Sequence, residues 1–144
     1  MLMGEYKHNM DSKGRIIVPS KLRDELGDKF ILTRGLDGCL FGYPLNSWQS
    51  LSEKLLHNLP LGKKDARAIT RFFYSAASDV EFDKQGRIMI PATLREYAGL
   101  DKTCRIIGVS DRLEIWDDEK WQVYVKETEE NVQTLTENIS EFEF

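Results

Sequence analysis

The chain has 144 residues, 41% apolar and 31% charged, with a formal net charge of −4. That length predicts one compact domain or two half-domains sharing a core, and the absence of any apolar run of about 18 residues argues against a membrane span. The charge is split: positions 117–144 carry −7 and positions 1–116 carry +3, a basic body with an acidic tail, which points to nucleic-acid contact or to an interaction tail.

Residues 4–10 mix polar and apolar positions as a first strand does, and they lack the apolar core of a signal peptide. Asp11-Ser12-Lys13-Gly14 reads as a tight turn, with Asp bonding its downstream backbone and Gly14 supplying positive φ. Arg15–Val18 is a short β-branched strand stopped by Pro19. A two-turn helix follows from Pro19 or Ser20 and closes at Gly27. Phe30–Thr33 and Cys39–Tyr43 form a hairpin around Gly35-Leu36-Asp37-Gly38. Pro44 opens a longer helix whose Leu45, Trp48, Leu51, Leu55, Leu56 and Leu59 make one apolar face. After the Pro60 and Gly62 breaker comes a second helix, with Lys63, Lys64, Arg67 and Arg71 on a basic side. Ile69, Phe72 and Phe73 face inward, and Phe72, Phe73 and Tyr74 read as packing.

The first unit then recurs: strand 79–82, turn 83–86, strand 87–90, a helix to Gly99, and a hairpin of 104–109 and 113–116. Asp117 caps a closing helix over 118–131, docked by Trp121, Tyr124 and Val125, and the last dozen residues are expected to fray. Aligned, Asp11–Gly27 and Asp83–Gly99 share eight of 17 positions, 72 residues apart; beyond a one-residue insertion Trp48 aligns with Trp121. Each copy is too short to bury a core alone, so the two are expected to pack on each other like the chains of a dimer. The expected organisation is a first repeat over 4–50, a helical linker over 51–75, a second repeat over 76–121 and an acidic helix or tail over 122–144. Cys39 and Cys104 fall at non-equivalent places in the copies and read as free thiols in a reducing cytoplasm.

The catalytic inventory is thin. Two histidines, no HExxH, no paired CxxC, no serine elbow and no phosphate-cradling loop leave no argument for an enzyme, a metal or a cofactor. The doubled Asp-x-x-Gly-Arg, formed by Asp11, Gly14 and Arg15 and by Asp83, Gly86 and Arg87, is the strongest feature. Asp and Arg paired across the turn could serve the loop alone. The functional reading adds a use: Lys13, Arg15, Lys84 and Arg87 are pushed outward. A guanidinium braced by a carboxylate is a preorganised donor to phosphate or guanine.

The pattern D-x-x-G-R-x-x-x-P followed by L-R and Gly resembles the SpoVT–AbrB swapped-hairpin DNA-binding domains. Two fused copies, with Trp48 and Trp121 in register, resemble the MraZ family of bacterial regulators of the division and cell-wall gene cluster. The resemblance implies an α+β, mainly β fold: a pseudo-two-fold β-barrel-like core with flanking helices. It further implies assembly into closed homo-oligomeric rings. A nucleoid-associated repressor would bind short direct repeats of double-stranded DNA upstream of its own operon through Asp11 and Arg15 and through Asp83 and Arg87. The copies differ at Ser12-Lys13 against Lys84-Gln85, so unequal DNA contact is expected. The rivals are an AbrB-type antitoxin with a toxin-binding tail and a ring scaffold that binds no DNA.

Overall fold

The computed structural model describes residues 1–142. Its first strand, β1 (Leu2–Asn9), does not pair with the next strand in sequence. It pairs antiparallel with β7 (Thr103–Ser110), which belongs to the second copy. The equivalent strand β5 (Ser78–Glu81) crosses in the other direction, onto β3 (Lys29–Arg34) of the first copy. With β4 (Leu40–Pro44) and β8 (Arg112–Asp117), these make one six-stranded sheet of order β1-β7-β8-β4-β3-β5. Exchanging the two copies turns that order into its own reverse, so the sheet has an internal pseudo-two-fold axis.

The short strands β2 (Arg15–Ile17) and β6 (Arg87–Met89) pair only with each other. Ile16 faces Ile88, its own equivalent 72 residues on, and Phe41 faces its equivalent Glu114 in the large sheet. The axis therefore passes through both pairs. Ile16, Val18, Ile88 and Ile90 point from this ribbon into a core that also takes Leu22, Phe30, Leu32, Leu40, Leu94, Ile106, Leu113 and Ile115. Both copies fill one core, so neither half by itself supplies all of that core's buried side chains. The mainly β, α+β class follows from this sheet and ribbon with, among the described residues, five α-helices around them.

Pro19 and Pro91 precede helices α1 (Ser20–Leu26) and α4 (Ala92–Ala98), whose leucines 22, 26 and 94 are buried. Gly27 and Gly99 end them at φ 81° and 63°, the left-handed region where glycine stops a helix. The longer helix after Pro44 departs from the expected single apolar face. It begins as α2 (Leu45–Leu51) and widens into a π-turn over Ser52–Leu56, with His57 N donating to Ser52 O at 2.7 Å. The extra residue in that turn rotates the side chains beyond it. Leu56 is buried while Leu55 points to solvent, and Leu45 is exposed as well.

Helix α3 (Lys64–Tyr74) is also turned from expectation. Its inner stripe is Ala66, Thr70 and Phe73, and Ile69 is exposed on the flank. The helix is pinned at its end: Thr33 Oγ1 donates to Phe73 O at 2.7 Å and Arg34 Nε to Phe72 O at 3.0 Å. Tyr74 is more exposed than core packing implies, though its ring meets Trp48 edge-on at 5.6 Å.

The closing helix α5 (Asp118–Glu137) runs farther than expected, well into the stretch read as frayed. Asp117 caps it, accepting Lys120 N at 3.2 Å. Trp121 and Tyr124 dock on Trp116 with ring centroids 5.2 and 4.8 Å away. Buried Asp118 fixes its first turn, bound by Arg105 Nη2 at 2.7 Å and by Gln122 at 2.8 Å. Cys39 and Cys104 are free and buried, and burial pushes the Cys104 thiol up to about 12. Among the described residues no helix is long and apolar enough to cross a membrane.

Candidate nucleic-acid interface

Each end of the ribbon carries a finger built from one carboxylate. Asp11 Oδ1 accepts the N–H groups of Lys13 and Arg15, both at 2.9 Å, and its Oδ2 accepts Arg15 Nε–H at 2.7 Å. The backbone closes the same loop: Asp11 N donates to Arg15 O at 2.9 Å and Gly14 N to Asp11 O at 3.0 Å. Gly14 lies at φ 83°. The second finger repeats this geometry. Asp83 Oδ1 accepts from Gln85 N and Arg87 N at 2.9 Å, its Oδ2 from Arg87 Nε at 2.7 Å, and Gly86 lies at φ 77°.

These donors act on the carboxyl groups. The Arg15 backbone N–H lowers Asp11 from 3.8 to about 2, against some desolvation and with help from the Arg15 guanidinium and the Lys13 N–H. The Arg87 backbone N–H likewise holds Asp83 below the usual carboxylate range. Both aspartates are therefore fully charged at neutral pH, and each holds its arginine by one edge, through Nε. That leaves the terminal nitrogens of Arg15 and Arg87 as donors without a protein partner among the described residues. Lys13 and Lys84 are exposed beside them. All eight residues singled out in the sequence thus fall into two matching clusters.

The exchange of strands ties the fingers together. Ile90 N of the second copy donates to Gly14 O of the first at 2.9 Å, and Val18 N of the first to Gly86 O of the second at 3.1 Å.

Two further arginines were not singled out from the sequence. The guanidinium of Arg95, on α4, lies flat on Gly14 of the other copy, so that a Cβ there would sit 2.6 Å from Nη1 and 2.9 Å from Nε. Arg23, on α1, crosses Gly86 so closely that a Cβ would overlap its Nη1. Each glycine is thus needed twice, for its φ and as a seat. Neither guanidinium has a hydrogen-bond or ion-pair partner among the described residues, and Arg95 Nε is buried without one. Their signal was visible: Leu-Arg recurs at the same register in both copies, as Leu22-Arg23 and Leu94-Arg95. What it meant depended on the swap.

Comparison with known proteins agrees with this duplicated geometry. A family profile described as "MraZ protein, putative antitoxin-like" matches residues 1–72 and again 73–142. A protein of Limosilactobacillus reuteri (strain DSM 20016) named "Transcriptional regulator MraZ" is 59% identical over 140 residues, covering 97% of this chain and 98% of its own. Proteins of the same name from Ligilactobacillus salivarius (strain UCC118) and Lactiplantibacillus plantarum (strain ATCC BAA-793 / NCIMB 8826 / WCFS1) are 55% and 56% identical, each covering 99% of this chain and 99% and 100% of their own. With the profile matched in both halves and relatives above half identity along nearly its whole length, this chain belongs to the MraZ family.

Proposed function

We propose that this chain is a sequence-specific, DNA-binding transcriptional regulator that represses its own operon in the division and cell-wall cluster. Its relatives' name, transcriptional regulator, supports the regulatory role and a non-enzymatic class. The observation that carries the DNA reading is the pair of matching fingers. Each presents an arginine fixed by a carboxylate, at opposite ends of a two-stranded ribbon. Such a ribbon fits the major groove, and an arginine with free terminal nitrogens is the usual reader of guanine. Lys13, Lys84, Arg23 and Arg95 flank the fingers and suit phosphates. The regulator works in the cytoplasm, on the nucleoid.

A ring of head-to-tail subunits presents the same fingers in the same sense, which suits direct repeats about 10 base pairs apart rather than a palindrome. The fingers' unequal middle residues break the pseudo-symmetry within each chain in the same direction.

The test is a titration of the chain's own upstream DNA at several salt concentrations, with the mass of the free assembly measured alongside. Arg15→Ala is expected to weaken specific binding by about 1–3 kcal/mol, the worth of one bidentate pair. Unchanged affinity and an unchanged salt slope would remove Arg15 from the interface. A footprint over an inverted repeat with no direct repeat would remove the head-to-tail arrangement.

A further inference from the structure

The outer face of the ribbon holds two side chains that the arginine and lysine contacts leave unused. Strands alternate, so with Ile16 and Ile88 each only 1% exposed toward the core, residues 15, 17, 87 and 89 face outward. Cross-strand partners are Arg15 with Met89 and Ile17 with Arg87. The face is therefore a two-by-two block, with the arginines on one diagonal and two apolar side chains on the other. Ile17 is 44% exposed and Met89 55%. They occupy equivalent places in the two copies, on either side of the pseudo-two-fold axis.

Neither serves the core, since both point away from it. Strand propensity accounts for an exposed Ile17, because β-branched residues suit strands, but not for Met89. What the two share is position: each lies directly opposite an arginine with free terminal nitrogens, where cross-strand side chains stand about 4.5–5.5 Å apart. A major groove offers one apolar feature beside the guanine acceptors, the C5 methyl of thymine.

We infer that Ile17 and Met89 are specificity-determining residues that contact thymine methyl groups next to the bases read by Arg87 and Arg15. The inference rests on the proposed DNA binding and adds a base identity to it. The operator then contains, in each half of the site covered by one chain, a thymine beside a guanine. Because isoleucine is stiff and methionine adaptable, the Ile17 position is the stricter of the two.

The experiment uses the full chain and its own upstream duplex. Each thymine is replaced in turn by deoxyuridine, which removes only the methyl group. Wild type, Ile17→Ser and Met89→Ser are titrated at one salt concentration, with thermal melts to confirm that the exposed substitutions leave the fold intact. Wild type is expected to lose about fourfold at two or more thymines, what one buried methyl is worth. The loss at one should vanish in Ile17→Ser and the loss at another in Met89→Ser. Specific binding by wild type with no methyl-sensitive position, or methyl sensitivity that persists in both variants, overturns this inference and leaves the DNA reading standing. Binding no stronger than to a scrambled duplex overturns both.

Discussion

The two fingers share a skeleton and differ in what hangs from it. Asp11 and Asp83 make the same three hydrogen bonds at the same distances, and Gly14 and Gly86 take nearly the same φ. Between them sit Ser12-Lys13 in one and Lys84-Gln85 in the other. The Asp, Gly and Arg set the loop's shape, and the middle pair is free to vary because both of its side chains point to solvent. Duplication fixed a scaffold for presenting arginine and left the surroundings of each arginine open to separate tuning.

The sharpest way to break that equivalence is to remove one arginine at a time. Arg15→Ala and Arg87→Ala are each expected to cost about 1–3 kcal/mol of operator affinity. Equal losses would mean that the middle residues do not matter. A larger loss on one side would identify the dominant finger, and relaxed preference at one operator position would map it to a base.

Next come the glycines. Gly14→Ala and Gly86→Ala each force an L-residue into the left-handed region, a cost of about 1–2 kcal/mol in stability read by denaturant midpoint. They also evict the arginine seated from the other copy. Gly86→Ala is expected to be the worse, because there the added Cβ overlaps Arg23 rather than pressing on it. The reverse order would mean that the seats are unimportant.

Removing the seated arginines themselves separates positioning from contact. Arg23→Ala and Arg95→Ala are each expected to lower the salt slope of DNA binding by about 0.9, one phosphate each, without changing base preference. Loss of affinity with an unchanged slope would instead make them supports for the loop.

Much of the two-finger geometry could be read from the sequence because it is local. An Asp, a Gly and an Arg within five residues fix their own turn, so Asp11, Gly14 and Arg15 could be placed from spacing alone. The repeat also dictated that the halves share a core. What escaped was non-local. Arg23 and Arg95 matter only because the strand exchange carries each onto the opposite finger. Ile17 and Met89 are ordinary strand residues until the β2–β6 register sets them opposite Arg87 and Arg15. The helices misled for a different reason. A single inserted residue in the π-turn at Ser52–Leu56 undoes a regular leucine period, and backbone carbonyls at Phe72 and Phe73 pin the end of α3 with Ala66 turned inward and Ile69 on the flank.

Acid should leave the fingers intact longer than an ordinary carboxylate would. Asp11 binds its proton near pH 2 when folded and near 3.8 otherwise, so the unfolded chain binds more protons between those values and stability rises with pH there. The contribution is complete above about pH 4 and fades as pH falls through 2. The resonance of the Arg15 Nε–H group is expected to hold constant from pH 8 to 4 and to move only below. Movement near pH 4 itself would mean that the Asp11 carboxylate is not held by its three donors.

The smallest effect tests the difference between the fingers most directly. Lys13 and Lys84 occupy different places, third in one turn and second in the other, and both are exposed. Lys13→Gln and Lys84→Gln each remove one charge without touching the Asp–Arg brace, so any loss belongs to phosphate contact and should be uniform across DNA sequences. Each is expected to reduce the salt slope by about 0.9 if its finger lies on the backbone. A change in one variant only would show that the fingers meet the duplex at different depths. The double exchange Lys84→Gln with Gln85→Lys, which gives the second turn a lysine at its third position as in the first, should then restore the slope with the charge moved by one residue.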